Sequence, residues 1–303
     1  MKIIHKCPLC KSGNQKEFIR SRRFKTTYVY NSCKNCKCVY LANRPEKEFM
    51  DEYYGKTYNY EGFNINRSSL GKYYKEELKI IKKYKGKGKI LEIGCASGGF
   101  IEAALNHGYD AYGVERSQKV INFAPDFIQE RIYCTDNFEE AEGTFDIFYL
   151  SHVLEHLEDP QKIFNKIKKI ANKRAIVIVK VPNIDSLMAR LMKRRWGWLA
   201  PPEHFYHFNY HSLKYLTEKN GWEIVYYITR KGDLYYLKFL LLMPFIFLPL
   251  PENIKSVIWG ITDRKIKISP KVLSLFHSLA SPITNRLHRK GLGEEIFLIA
   301  KIK

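Results

Sequence analysis

No apolar run in this 303-residue chain reaches the roughly 20 residues that a helix needs to cross a bilayer, which excludes a simple spanning protein. Acidic residues are scarce: 31 Asp and Glu stand against 51 Lys and Arg, a net charge of +20. That imbalance says nothing about fold. It favours polyanionic partners: nucleic acid, acidic lipid or phosphorylated small molecules. Internal repeats and low-complexity tracts are also missing, which sets repeat arrays aside. The opening MKIIHKCPLC has only a short apolar stretch before charge resumes, and it is not read as a signal peptide. The expected location is therefore the cytoplasm, where seven cysteines stay reduced and serve as buried, metal-bound or reactive thiols. What is present is ordinary for a globular chain: 45% hydrophobic and 27% charged residues exclude wholesale disorder and collagen.

The cysteines divide the chain unevenly. Residues 1–50 hold five of the seven, with 12 Lys/Arg against 3 Glu, a net of +9, and read as a separate small module. Residues 51–88 read as a Tyr/Asn/Gly-rich linker or lid followed by an amphipathic helix over 69–84. From residue 89, strands and helices alternate: strands at 89–93, 109–114, 131–134, 145–150 and 175–181, and a helix with Asp159 at its N-cap and Pro160 in its first position. That alternation predicts an α/β fold with a mostly parallel sheet covered on both faces. A helix near 212–220, a strand at 222–229 and a closing strand at 295–301 complete a core spanning 89–229 and 291–303. Residues 230–290 interrupt it. They contain the apolar 234–250 (LYYLKFLLLMPFIFLPL) and carry 11 Lys/Arg against 3 Asp/Glu, a net of +8. An apolar segment among cations suits a peripheral contact with an anionic membrane at its inner face, with burial against the core and an oligomer contact as the other two readings.

The segment Glu92-Ile93-Gly94-Cys95-Ala96-Ser97-Gly98 follows the first core strand and opens a helix. Glycines there let a backbone approach a ligand closely. A carboxylate at the strand end repels a pyrophosphate but suits an ammonium group. Glu115 closes the next strand 21 residues after Gly94, where a carboxylate can take both ribose hydroxyls. The pattern resembles class I S-adenosylmethionine-dependent methyltransferases. Their acid-G-x-G/A-x-G motif matches at Glu92, Gly94, Ala96 and Gly98, their second-strand acid at Glu115, and their third-strand acid at Asp136, followed by Asn137 and Phe138. The fourth-strand motif matches at 145–150, followed by Ser151 and His152. The resemblance implies a Rossmann-like, doubly wound, seven-stranded sheet with the last strand antiparallel. It also implies S-adenosylmethionine contacts at all these residues. The tetrapeptide N/D-P-P-Y/F of amino-methylating nucleic-acid enzymes is missing after the fourth strand, which counts against exocyclic base amines as acceptors.

His152 and His156 are four apart, so a helix would set them on one face with Glu155 beside them. Three readings stand: packing, a general base, or a metal ligand, the last because some quinone-biosynthesis methyltransferases carry a similar V-x-E-H. His204 and His207 lie in a P-x-H-x-x-x-F loop like one that many small-molecule methyltransferases carry over the active site. With His152 they are the candidate catalytic residues.

Cys7-x2-Cys10, 22 residues, then Cys33-x2-Cys36 is close to zinc-ribbon spacing, and four thiolates suit a closed structural Zn²⁺ site. Cys38 is a substitute ligand or a spare thiol, and Cys95 and Cys134 read as packing. A ribbon on such a core resembles sugar C-methyltransferases and, in outline, a zinc-bearing ribosomal-RNA methyltransferase group. The expected function is methyl transfer to a small molecule: a sugar, glycan or lipid-linked precursor. RNA methylation through the basic module is the alternative, and a non-catalytic binding protein that keeps the fold is the third reading.

Overall fold

The computed structural model describes residues 1–54, 67, 70–230 and 285–303. Most of the linker expected at 51–67, and the apolar segment 234–250, lie outside the described residues.

The N-terminal region is built from short antiparallel strands. β1 (Lys2–Ile3) pairs with β5 (Asn43–Arg44). β2 (Gln15–Arg23), β3 (Thr26–Cys33) and β4 (Val39–Leu41) form a sheet of successive neighbours. Its fourth strand, β11 (Tyr206–His207), comes from far downstream, with Tyr206 opposite Tyr40 and His207 opposite Val39. The module read from residues 1–50 is therefore not separate. One hydrophobic cluster runs without a break from Cys7, Tyr30 and Leu41 to Phe208 and Leu298. The reason is size: three short strands leave one edge open and too few apolar side chains to fill a core alone. The boundary at 50 also falls inside helix α1 (Lys47–Glu52).

The core follows the predicted alternation. Helix α2 (Leu70–Tyr84) buries Leu70, Leu78 and Ile81. Then come β6 (Lys89–Ile93), α3 (Gly99–Leu105), β7 (Asp110–Glu115), α4 (Gln118–Ile121), α5 (Asp126–Gln129), β8 (Ile132–Cys134), β9 (Phe145–Ser151), α6 (Pro160–Lys169), β10 (Ala171–Pro182), α7 (Leu187–Met192), α8 (Tyr210–Lys219), β12 (Trp222–Arg230) and β13 (Glu295–Ile302). The sheet order is β12-β13-β10-β9-β6-β7-β8. β6, β7, β8, β9 and β10 run parallel, and β13 is antiparallel to both β10 and β12. Alternation along the strands divides the core in two. Ile90, Ile147, Ile176 and Phe297 face α2 and α3, while Leu91, Phe148, Val177 and Leu298 face the side of α6 and the N-terminal strands. The parallel strands end together, which puts the loops after β6, β7, β8 and β9 at one edge.

Asp146 ties three strands at the opposite edge. Its carboxylate accepts from Lys89 N at 3.0 Å and Asn172 Nδ2 at 3.1 Å, and pairs with Lys85 Nζ at 3.3 Å. Partial burial opposes ionisation, but these donors outweigh it and hold the carboxyl below its ordinary range. Because the folded pKa is depressed, the stabilisation is present above the unfolded pKa of about 3.9 and is lost as pH falls through the folded value. Asp146→Asn is expected to lose about 1–2 kcal/mol at pH 7 in urea unfolding. The gap to wild type should close below about pH 4. A gap unchanged down to pH 3 would contradict this account.

Candidate active site

The loop after β6 is shaped by two glycines in the left-handed region. Gly94 has φ +71°, and a Cβ there would lie 2.9 Å from Val153 Cγ2. Gly98 has φ +72°, and its Cβ would lie 2.4 Å from Ile128 Cγ2. Between them, Gly94 N and Cys95 N both donate to Val114 O, which lashes the loop to the end of β7. Glu115 completes the join: Oε2 accepts from Ala96 N at 3.2 Å and Oε1 from Ser117 N at 3.0 Å. Ser117 stands at the N-cap of α4, but its hydroxyl makes no capping bond.

The acids around this loop suit an adenosyl sulfonium. Each Glu115 oxygen spends one acceptor position on the backbone and keeps another for a hydroxyl. Glu92 is 5% exposed, and its Oε2 has no hydrogen-bond partner among the described residues. Burial drives its pKa well above the usual carboxylate range, Lys180 opposes that, and Glu77 and Glu115 add to it. A buried acid short of a partner fits a ligand's ammonium group and not a phosphate. After β8, Asp136 is exposed, Asn137 Oδ1 accepts from Lys166 Nζ at 3.4 Å, and Phe138 is buried. These residues fit S-adenosylmethionine, which supplies an electrophilic methyl group on its sulfonium sulfur when bound.

The histidines depart from the helical reading. β9 ends at Ser151, His152 N donates to Lys180 O, and His152 itself has φ +57°. Only a single 3₁₀ turn, Leu154–His156, follows. His152 and His156 therefore share no helix face, because the chain turns too tightly for one to form. His152 points to two carboxylates, with Nδ1 3.2 Å from Glu155 Oε1 and Nε2 3.0 Å from Glu295 Oε1, and Trp198 stacks on it at 5.0 Å. Burial lowers its pKa, but the two carboxylates outweigh that and lift it to about 9. A pKa raised this far favours the imidazolium at neutral pH, which speaks against the general-base reading. Its charge and its two N–H groups suit it to holding other groups in place.

His156 turns the other way, against His204, with ring centroids 4.6 Å apart. His204 Nδ1 donates to Trp198 O at 2.7 Å. Burial holds both rings below the ordinary imidazole pKa, His204 more strongly because His156 and His207 lie close. His207, on β11, is sealed between Tyr30 and Trp196, and burial depresses its pKa to about 3. The 196–208 loop is fastened to the N-terminal strands. Tyr30 OH donates to Leu199 O at 2.9 Å, Arg23 Nη1 to Pro201 O at 2.9 Å, and Tyr53 OH to Glu203 Oε1 at 2.5 Å.

No local pattern marks Trp198 or Glu295 as neighbours of His152, because 46 and 143 residues separate them from it. The same holds for the buried group Glu77, Lys180 and Arg230. Lys180 Nζ lies 2.8 Å from Glu77 Oε1, Arg230 Nη2 lies 2.7 Å from the same oxygen, and the Tyr149 hydroxyl donates to Oε2.

The four predicted cysteines converge: Cys7, Cys10, Cys33 and Cys36 hold their sulfurs within 4.8 Å of one another. Cys7 Sγ is 3.5 Å from Cys36 Sγ, and Cys10 Sγ is 3.4 Å from Cys33 Sγ. Cys38 is not among them: it is buried and donates to Val39 O. Cys95 is buried as expected, but Cys134 is exposed, which corrects its reading as packing.

Comparison with known proteins agrees with this geometry. The family model described as "Methyltransferase domain" matches residues 63–227, more than half of the chain. An uncharacterized protein of Methanocaldococcus jannaschii is 25% identical over 123 residues, and the match spans 40% of this chain and 58% of that protein's length. The solved plantazolicin methyltransferase BpumL, in complex with a monoazolic desmethylPZN analog and SAH, aligns over 84% of this chain and 94% of its own at TM-score 0.51 and 14% identity. A SAM-dependent methyltransferase from Archaeoglobus fulgidus aligns over 84% of this chain and all of its own at TM-score 0.47 and 18% identity. No described helix is long and apolar enough to cross a membrane. The family match, the strand order with its antiparallel β13 and the carboxylate-lined loop agree: the chain belongs to the methyltransferase-domain family, as a class I S-adenosylmethionine-dependent methyltransferase.

Proposed function

We propose that the acceptor is a small molecule bearing a hydroxyl or an activated carbon, such as a sugar, a glycan unit or a lipid-linked precursor. One observation carries this reading. The loop bearing His204 and His207 is bolted to the N-terminal strands, and its buried rings pack beside the turn that ends β9, where a small acceptor would meet the cofactor. The chain's own residues then bind and orient. Glu92, Gly94, Ala96, Gly98, Glu115, Asp136, Asn137, Phe138 and Ser151 hold the cofactor, and the His152–Trp198 pair borders its methionine end. Methyl transfer is an in-line displacement, so most of the acceleration comes from this positioning. The exposed Arg20, Arg22 and Arg23 favour RNA as the second reading. Incubating the full chain with methyl-labelled S-adenosylmethionine and either a small-molecule and lipid extract or total RNA separates the two. Label is expected in the extract; label in RNA alone would overturn the reading.

The four thiols are proposed to hold one structural Zn²⁺. Zn–S bonds of about 2.3 Å set tetrahedral sulfurs about 3.8 Å apart, close to the spacings here. Cys7→Ser is expected to release one thiolate-bound equivalent and melt the β2–β4 sheet, because metal binding in so small a unit is folding energy. β11 pairs with β4, so the His204 loop should loosen as well. Near-ultraviolet circular dichroism from the buried Tyr28, Tyr30 and Tyr40 reads the change. A variant that keeps the wild-type spectrum without metal would refute the site.

A further inference from the structure

Glu155, His156 and His204 bring three donor atoms within 4.8 Å of one another, away from the four cysteines. Glu155 is 1% exposed and His204 is 4% exposed. Glu155 gives Oε1 to His152, while its Oε2 is buried with no hydrogen-bond partner among the described residues. An orphaned carboxylate oxygen is costly to bury and needs a positive or donating partner.

The two imidazoles are prepared to supply lone pairs. Trp198 O accepts from His204 Nδ1, which fixes the tautomer and leaves Nε2 bare. His156 meets the His204 ring edge-on, with centroids 4.6 Å apart. Metal-binding histidines are commonly oriented by a hydrogen bond from the other ring nitrogen to a carbonyl. The ligands also come from separately anchored segments. Glu155 and His156 ride the 3₁₀ turn after β9, and Phe205 N donates to Glu155 O, which clamps the His204 loop against that turn.

We propose that Glu155, His156 and His204 form a second metal site, for a divalent transition ion held by one carboxylate and two imidazoles. Two imidazoles select against Mg²⁺ and Ca²⁺, which take oxygen ligands, and suit Zn²⁺, Fe²⁺ or Co²⁺. Three protein ligands leave coordination positions open, as in a catalytic site and unlike the closed cysteine site. Such an ion would bind and polarise an oxygen of the acceptor. That role rests on the proposed acceptor reading. The site does not, because its test uses neither cofactor nor acceptor.

The probe is Co²⁺, titrated anaerobically into the full chain with zinc retained in the cysteine site. Wild type is expected to take up one further equivalent, giving weak visible bands without the thiolate-to-cobalt charge-transfer band. Glu155→Gln and His204→Gln should each weaken this uptake at least about tenfold with unchanged circular dichroism. His211→Gln, an exposed histidine on α8, should match wild type. No uptake by wild type, uptake with the charge-transfer band alone, or uptake unaffected in both Glu155→Gln and His204→Gln would each overturn the proposal. Because the reading is metal uptake, its failure leaves the methyl-transfer assay untouched.

Discussion

Glu77→Leu is expected to lower the stability of the full chain by about 3–5 kcal/mol, the cost of breaking a buried ion pair from one side. The side chains of Glu77 and Lys180 are 3% and 2% exposed, and Arg230 meets the same Glu77 oxygen from β12. Removing the carboxylate strands the Lys180 ammonium, 2% exposed, and takes from Arg230 its nearer carboxylate. Lys180→Met should cost less, because Arg230 and the Tyr149 hydroxyl still satisfy Glu77. The double variant Glu77→Leu with Lys180→Met should recover part of the loss, since one uncompensated charge is removed. Urea unfolding of the three proteins tests the set. A loss below about 1 kcal/mol for Glu77→Leu would mean that the pair is solvated, contrary to its burial. The network also extends toward the site: Arg230 lies 3.7 Å from Glu295 Oε2, and Glu295 holds His152.

Glu115→Ala is expected to weaken S-adenosylmethionine binding about 100-fold or more by calorimetry. Hydrogen bonds to a charged group contribute about 1.5–3 kcal/mol each, and two ribose hydroxyls lost together give at least about 3 kcal/mol. Part of the effect is indirect, because the carboxylate also receives Ala96 N and Ser117 N and so holds the loop against β7. Glu115→Gln separates the two contributions. It keeps an oxygen acceptor for one backbone donor but loses the charge, so its loss should be intermediate. Equal affinity for wild type and Glu115→Ala would remove Glu115 from the cofactor site.

Much of this architecture was legible in the residues. The alternation of strands and helices, with the glycine loop after the first strand, marked β6, β7, β9 and β10 within a few residues. Asp159 and Pro160 marked the start of α6, where Asp159 Oδ1 accepts from Gln161 N. The cofactor loop and the cysteine pairs are local signals: a few residues at fixed spacing make the turn and carry the ligand atoms, so sequence alone points to them. The histidines were harder to read. Spacing of four suggested a helix over 152–156, but the return of the chain from β9, fixed by the bond from His152 N to Lys180 O, permits only one 3₁₀ turn.

What the sequence determined by itself was the α/β class, the cofactor loop with its acids at 92 and 115, and the four-thiol cluster. Tertiary structure alone decided that the N-terminal strands borrow β11 from the core, and that His152 lies between the carboxylates of Glu155 and Glu295. It alone set His156 beside His204, and buried Lys180 against Glu77. The physical reason is range. Turn geometry and ligand spacing are settled within a few residues, whereas a side chain's protonation state and partners depend on burial and on charges brought from strands more than a hundred residues away.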